Sequence, residues 1–250
     1  MFYPFSSGQE DIVKDGLVLW LDAGDRTSYP GGGTVWRDLT PNANNGTLTN
    51  GPTFNSGNGG SIVLDGVNDY IQLNTLTALP NLQTGDSITI GCWIRKTSTS
   101  SWQPIITKID SSNWILRNYE LTFSGSGLNA PLNSISFFYR NAGNTTWNGF
   151  STTATFTDSQ WHYFVFTYKM STASSAKMYV DGTSLSALWR DGTGNDEPST
   201  TSTALRIGTT DPSFSEWLGG NISNVQIYNR ALSANEVSQN FNATRARFGV

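Results

Sequence analysis

A single cysteine, Cys92, and a single histidine, His162, in 250 residues narrow the accessible chemistry. One thiol cannot close an internal disulfide, so the chain is not a disulfide scaffold. One His and one Cys cannot enclose zinc by themselves. A Ser–His–Asp triad would have to be built on His162. Charged residues make up only 14% of the chain and the net charge is −4. The basic residues nowhere form a run, so there is no electrostatic footprint for nucleic acid. No apolar stretch is long enough to span a bilayer, and no membrane insertion is expected. The start, Met1-Phe2-Tyr3-Pro4-Phe5, lacks the basic and apolar regions of a secretory signal, which implies synthesis in the cytoplasm without export by the general secretory route. Neither glycine-rich stretch is followed by Lys-Ser or Lys-Thr, so no phosphate-cradling loop is present. Long amphipathic helices are also missing.

What the chain does have is short strand-like runs, each closed by Gly, Asn, Asp or Pro. They fall at residues 17–21, 62–64, 70–73, 87–95, 102–108, 119–123, 134–140, 160–169, 176–180, 204–207 and 222–228. In the run 87–95, Ile88, Ile90, Cys92 and Ile94 share one face, the period of a strand on a core. Cys92 therefore reads as a small buried hydrophobe. The run 161–168 is apolar or aromatic on both faces and predicts a central strand covered on both sides. Asp181-Gly182 after Met178-Tyr179-Val180 is a hairpin turn signal. Ser233-Ala234-Asn235-Glu236 fits a capping box opening a helix over 234–241. Many short strands with turns between them and one short C-terminal helix predict an all-β, two-sheet antiparallel sandwich. The organisation expected is an N-terminal arm over 1–15, one sandwich over 16–241 and a C-terminal tail over 242–250.

Five segments in order carry a family resemblance. They are Leu64-Asp65-Gly66-Val67-Asn68-Asp69-Tyr70-Ile71, Ser87-Ile88-Thr89-Ile90-Gly91-Cys92-Trp93-Ile94, Gln160-Trp161-His162-Tyr163-Phe164-Val165, Met178-Tyr179-Val180-Asp181-Gly182, and the closing run from Leu218 to Ser233. Together they resemble the LamG-like jelly-roll family of the concanavalin A-like superfamily. The opening Leu19-Trp20-Leu21-Asp22-Ala23, the later Trp36-Arg37-Asp38-Leu39 and the ending 240–249 resemble the subgroup found in bacteriophage structural proteins. The resemblance implies a jelly roll with a glycan-binding or protein-binding role. It also implies that calcium can be held by loop oxygens, for which Asp22, Asp38, Asp65 and Asp69 are the available donors, although Ser223-Asn224 stands where relatives often carry an acidic pair.

The same fold hosts glucan-cleaving enzymes with three acidic residues on alternate positions of one strand. This chain has no such cluster, and glycosidic cleavage needs a carboxylate pair at a set separation. No catalytic residue is assigned, and His162 reads as a packed strand histidine. The nine tryptophans divide instead. Trp20, Trp36, Trp93 and Trp161 lie in the motifs and predict core. Trp102, Trp114, Trp147, Trp189 and Trp217 lie in or beside polar segments, and the first four, with Asn148 and Arg190, are candidates for stacking on and hydrogen-bonding a sugar from loops. At the ends, Phe2, Tyr3 and Phe5 form an apolar arm and Arg245, Arg247 and Phe248 a basic-aromatic tail, candidates for docking on this domain or on a neighbouring subunit. The expected function is a non-catalytic surface or decoration protein of a phage virion, binding other virion proteins or itself and also glycans, with no required cofactor. The alternative is a soluble lectin assisted by calcium, and after it a glycoside hydrolase.

Overall fold

The computed structural model of this chain describes residues 11–73, 81–98, 102–110, 116–126 and 129–250. Its strands, in chain order, are β1 (Leu17–Asp22), β2 (Val35–Trp36), β3 (Gly46–Thr49), β4 (Thr53–Asn55), β5 (Ser61–Asp65), β6 (Tyr70–Leu73), β7 (Ser87–Lys96), β8 (Gln103–Ile109) and β9 (Arg117–Phe123). They continue with β10 (Ser134–Arg140), β11 (Trp147–Thr155), β12 (Trp161–Lys169), β13 (Lys177–Val180), β14 (Thr183–Leu185), β15 (Ala187–Asp191), β16 (Arg206–Ile207) and β17 (Gly219–Tyr228), before one α-helix, α1 (Ala234–Thr244). All paired strands run antiparallel in two sheets. One has the order β14-β13-β12-β7-β17-β5-β4 with β1 also on β17, and the other the order β15-β11-β10-β9-β8-β16-β6-β3-β2.

Alternation sets which face each residue takes, and register joins the strands into ladders. In the nine-stranded sheet, Trp189, Phe150, Phe137, Leu121, Ile106, Ile207, Ile71 and Leu48 stand opposite one another in turn across eight strands. In the other sheet, Met178, Phe166, Ile90, Ile227 and Leu19 do the same. These inner faces meet in one core, where Phe137 and Phe166 stack with centroids 4.1 Å apart. The strand β17 is shared: its first half pairs with β5 and its second with β1. Gly220 is needed there, because a Cβ would come within 2.3 Å of the Arg95 carbonyl oxygen.

The outer face of the eight-stranded sheet is sealed by the chain's own C-terminal end. Trp93, Tyr163, Val165 and Tyr179 project from it and are covered by Val237, Phe241 and Phe248. The capping box forms as expected, with Ser233 and Glu236 satisfying each other's backbone amides. The tail does not begin at residue 242, as the sequence suggests, because the helix continues to Thr244 and a 3-10 turn follows at Arg245–Arg247. The Trp93 indole N–H donates to Thr244 Oγ1 at 2.8 Å, and Phe248 stacks on Trp93 at 4.0 Å. Arg247 grips both oxygens of Asp22 at 2.9 and 2.8 Å and donates to Ser223 Oγ. Among the described residues no helix is long and apolar enough to cross a membrane.

Candidate functional site

The outer face of the nine-stranded sheet is built differently. The register lines up Gly149, Phe138, Glu120, Thr107, Arg206 and Gln72 on that side, each opposite the next. The adjacent row is Ser151, Ser136, Thr122 and Pro104, and on the other flank Trp147 stands opposite Arg140. This face is polar, yet its central strands β8, β9 and β10 are buried throughout. Buried polar groups are costly unless paired, and the pairs are present in part: Ser136 donates to Ser151 at 2.8 Å and Thr107 to the Thr209 carbonyl at 2.7 Å. Residues 209–216 fold over the Arg206 end, where Arg206 meets Asp211 at 3.0 Å and Thr210 donates to Glu216.

At the Trp147 end the chemistry is cationic. Arg117 pairs with the fully buried Glu120, and Arg140 donates to the Asn144 carbonyl. Both guanidinium groups lie against the Trp147 ring, at 4.9 and 4.7 Å from its centroid, a cation–π arrangement that needs no further anion. Burial pushes the Glu120 pKa up to about 7; Arg117 pulls it down and the charge of Glu216 adds to the rise. Burial, and then the charge of Arg117, lowers the Arg140 pKa. The Nε–H groups of both Arg117 and Arg140 are buried with no hydrogen-bond partner. Trp102, half-buried, meets Phe138 edge-on at 5.6 Å in the same region. Gly149 makes room for Phe138, whose ring a Cβ would strike at 2.4 Å.

Of the tryptophans read as sugar-facing, the structure therefore brings Trp102 and Trp147 to one face. Trp114 lies outside the described residues. Trp147, Asn148, Trp189 and Arg190 are on strands β11 and β15 and not in loops. Trp189 is packed against Tyr139, Phe150 and Tyr168 at the end of the core, its indole N–H donating to the Ala173 carbonyl. Asn148 is buried, and its amide holds the backbone of Thr193 and Gly194 and the carboxylate of Asp196. Neither is free for a ligand. Arg190 is half-buried on the edge strand β15, and its carbonyl accepts from Asn129.

The four aspartates do not converge. Asp22 is held by Arg247. Asp38 accepts from the amides of Trp20, Thr40 and Asn44. Asp65 caps its own turn through the amides of Val67, Asn68 and Asp69, which lowers its pKa against the opposing effect of burial, while Asp69 accepts from the Asp65 amide. Among the described residues no three His, Cys, Asp or Glu side chains are gathered to hold a metal ion. Of the terminal candidates, Phe2, Tyr3 and Phe5 lie outside the described residues. Of the two alternatives for Arg247 and Phe248, the structure shows docking on this domain: Arg247 holds Asp22 and Phe248 stacks on Trp93. Arg245 is exposed with its guanidinium near the Phe241 ring.

His162 is packed on its strand against Phe156 and Phe164, as expected, but it also has two partners that no motif announced. Nδ1 lies 2.7 Å from Asp181 and Nε2 3.1 Å from Asp158. The hydrogen bond to Asp181 raises the imidazole pKa most, burial opposes it, and Asp158 adds to the rise. The result is a doubly anchored imidazole, with both nitrogens taken by carboxylates and neither turned to a nucleophile.

Comparison with known proteins agrees with this architecture. No curated protein matches. The binding domain of botulinum neurotoxin serotype G superposes with a TM-score of 0.65 at 15% identity, covering 90% of this chain and 50% of that one. The serotype D ligand binding domain in complex with N-acetylneuraminic acid gives 0.64 at 13%, covering 91% and 50%. This chain thus spans about half the length of those toxin domains. Domain 4 of AbnA, a GH43 extracellular arabinanase from Geobacillus stearothermophilus, in complex with arabinotriose, gives 0.63 at 17%, covering 89% of this chain and 96% of that one. At such identities the likeness is one of fold. A family model described as concanavalin A-like lectin/glucanases superfamily matches residues 65–238, and on that match the chain belongs to this superfamily.

Proposed function

We propose that this chain is a non-catalytic, lectin-like domain that binds carbohydrate on the outer face of its nine-stranded sheet, around Trp102, Trp147 and Arg140. The observation that carries the reading is the asymmetry of the two outer faces. One is closed by the C-terminal helix and Phe248; the other carries the half-buried indoles of Trp102 and Trp147 beside the guanidinium groups of Arg117 and Arg140. Sugars are recognised by such a combination, an apolar platform with a few fixed polar groups. Neighbours in fold have been described with arabinotriose and with N-acetylneuraminic acid, which supports the reading. The strand acids do not resemble a hydrolytic pair: Glu120 is ion-paired with Arg117, and Asp191 lies on the edge strand accepting from Asn129.

A glycan array tests the proposal. Binding to a defined set of glycans is expected, without release of reducing ends and unchanged by a calcium chelator. Binding to no glycan would sink it.

A second reading places the domain on a phage particle. It is supported by the resemblance of the opening and ending segments, which meet in space through Asp22 and Arg247. Mass spectrometry of purified particles would find the chain as a stoichiometric component; its absence from intact particles would reject this setting without touching the lectin reading.

A further inference from the structure

We infer that Asn50 is a site of spontaneous covalent modification, at which the side-chain amide is lost by cyclisation onto the Gly51 nitrogen. The inference is independent of the lectin reading. Asparagine followed by glycine favours this reaction, since glycine puts no side chain in the path of the attacking nitrogen and leaves the backbone free to turn. The chain holds four such pairs, Asn45-Gly46, Asn50-Gly51, Asn58-Gly59 and Asn148-Gly149, and the fold treats them unequally. Asn148 is buried, its side chain held by Thr193, Gly194 and Asp196, and Gly149 stands in β11 between Phe138 and Asp191. Gly46 is fixed in β3 between Trp36 and Leu73, and Asn45 Oδ1 accepts from the Asp38 amide. Asn58 is exposed but held at both ends: Oδ1 accepts from the Trp161 indole and Nδ2 donates to the Arg247 carbonyl, each at 3.2 Å. Asn50 and Gly51 are both exposed and lie between β3 and β4, outside either ladder. Asn50 is tethered through Nδ2, which donates to the Asn68 carbonyl at 2.9 Å. A Cβ on Gly51 would meet Asp69 Oδ1 at 3.9 Å and, among the described residues, nothing nearer, so the turn has room for a five-membered ring.

The Gly51 nitrogen, having lost its proton to water, attacks Asn50 Cγ. The N–Cγ bond forms, the Cγ–Nδ2 bond breaks, and Nδ2 takes up a proton and leaves as ammonia. Water then opens the cyclic imide at either carbonyl, giving aspartate or isoaspartate, with no change of oxidation state. The product has lost the donor to Asn68 and sets a negative charge beside the turn that holds the buried Asp69. Burial already raises the Asp69 pKa and the charge of Asp65 adds to it, against the hydrogen bond from the Asp65 amide. A further like charge therefore works against the turn at residues 65–69.

The test is incubation of the full chain at pH 8, folded and in urea, with its peptides mapped by mass over time. In urea all four pairs are expected to show the mass gain of amide-to-acid conversion at comparable rates. In the folded chain Asn50 is expected to convert roughly tenfold or more faster than Asn45 and Asn148, because those two must first be freed from paired strands. Asn58 is expected to fall between them. Asn50→Gly, which keeps the left-handed φ of 70° at this position and removes the amide, is expected to abolish the fast phase of ammonia release. Asn50→Asp, the product itself, is expected to melt below Asn50→Gly at pH 8. An Asn50 no faster than Asn45 and Asn148 in the folded chain, or ammonia release untouched by Asn50→Gly, overturns the inference. Equal melting temperatures for the two variants overturn the effect on the turn.

Discussion

Among single residues, two ionisable groups separate structural from functional chemistry. His162 gains two carboxylates on folding, so its pKa rises above the ordinary imidazole value. A raised pKa means the folded state binds the proton more tightly, so its contribution is complete below about pH 6.5 and is lost as pH rises through the folded value. Replacing His162 with Gln should flatten the difference in urea stability between pH 5 and pH 9; an unaltered pH profile would contradict the two-carboxylate clamp. Glu120 also has a raised pKa, at about 7, but from burial, with the charge of Arg117 opposing the rise and that of Glu216 adding to it. Its ionisation between about pH 4.5 and 7 therefore works against stability. In the core, Phe137 is fully buried and stacks across the two sheets. Its replacement by Ala should cost about 3–5 kcal/mol in denaturant unfolding, and a loss below about 1 kcal/mol would mean that the sheets do not meet there.

For the secondary-structure elements, the C-terminal segment is a structural part and not a loose appendage. Val13 donates to Asn240, Asn240 donates to Tyr228, and Phe248 fills the space over Trp93. Deleting residues 245–250 should lower the melting temperature by several degrees, because it uncovers Trp93 and leaves Asp22, which is 7% exposed, without its cation. An unchanged melting temperature would show that the segment does not dock. The long strands were legible in the sequence because apolar alternation marks them, as in β7 and β10. Strands β2, β3, β4 and β14 were not, since two to four residues carry too little periodicity. Strand β11 was missed for another reason: Ser151 and Thr152 are buried polar residues whose hydroxyls are satisfied across strands, so neither face reads as apolar. The Trp147 and Trp189 segments consequently looked like loops. Arg117, Glu120 and Arg140 were missed as well, although alternation puts Glu120 opposite in phase to Tyr119, Leu121 and Phe123. That period says which way a polar side chain points. It does not say that its face is covered, and coverage is what turns a solvated charge into a candidate site.

Over the whole molecule, the two outer faces have been put to unequal use, and the functional account depends on that inequality. Aromatic residues Trp93, Trp161 and Tyr163 are closed in under the chain's own C-terminal segment, whereas Trp102 and Trp147 flank Phe138 and Arg140 on the opposite side. The most direct measurement is a nitrogen–proton spectrum of the tryptophan indoles, assigned by single substitutions, recorded as the glycan selected by the array is added. The account predicts that the Trp102 and Trp147 indole signals move with saturable titration curves while those of Trp93 and Trp161 stay in place. Movement of the Trp93 and Trp161 signals with Trp102 and Trp147 unmoved would place the ligand on the wrong side of the sandwich and contradict it.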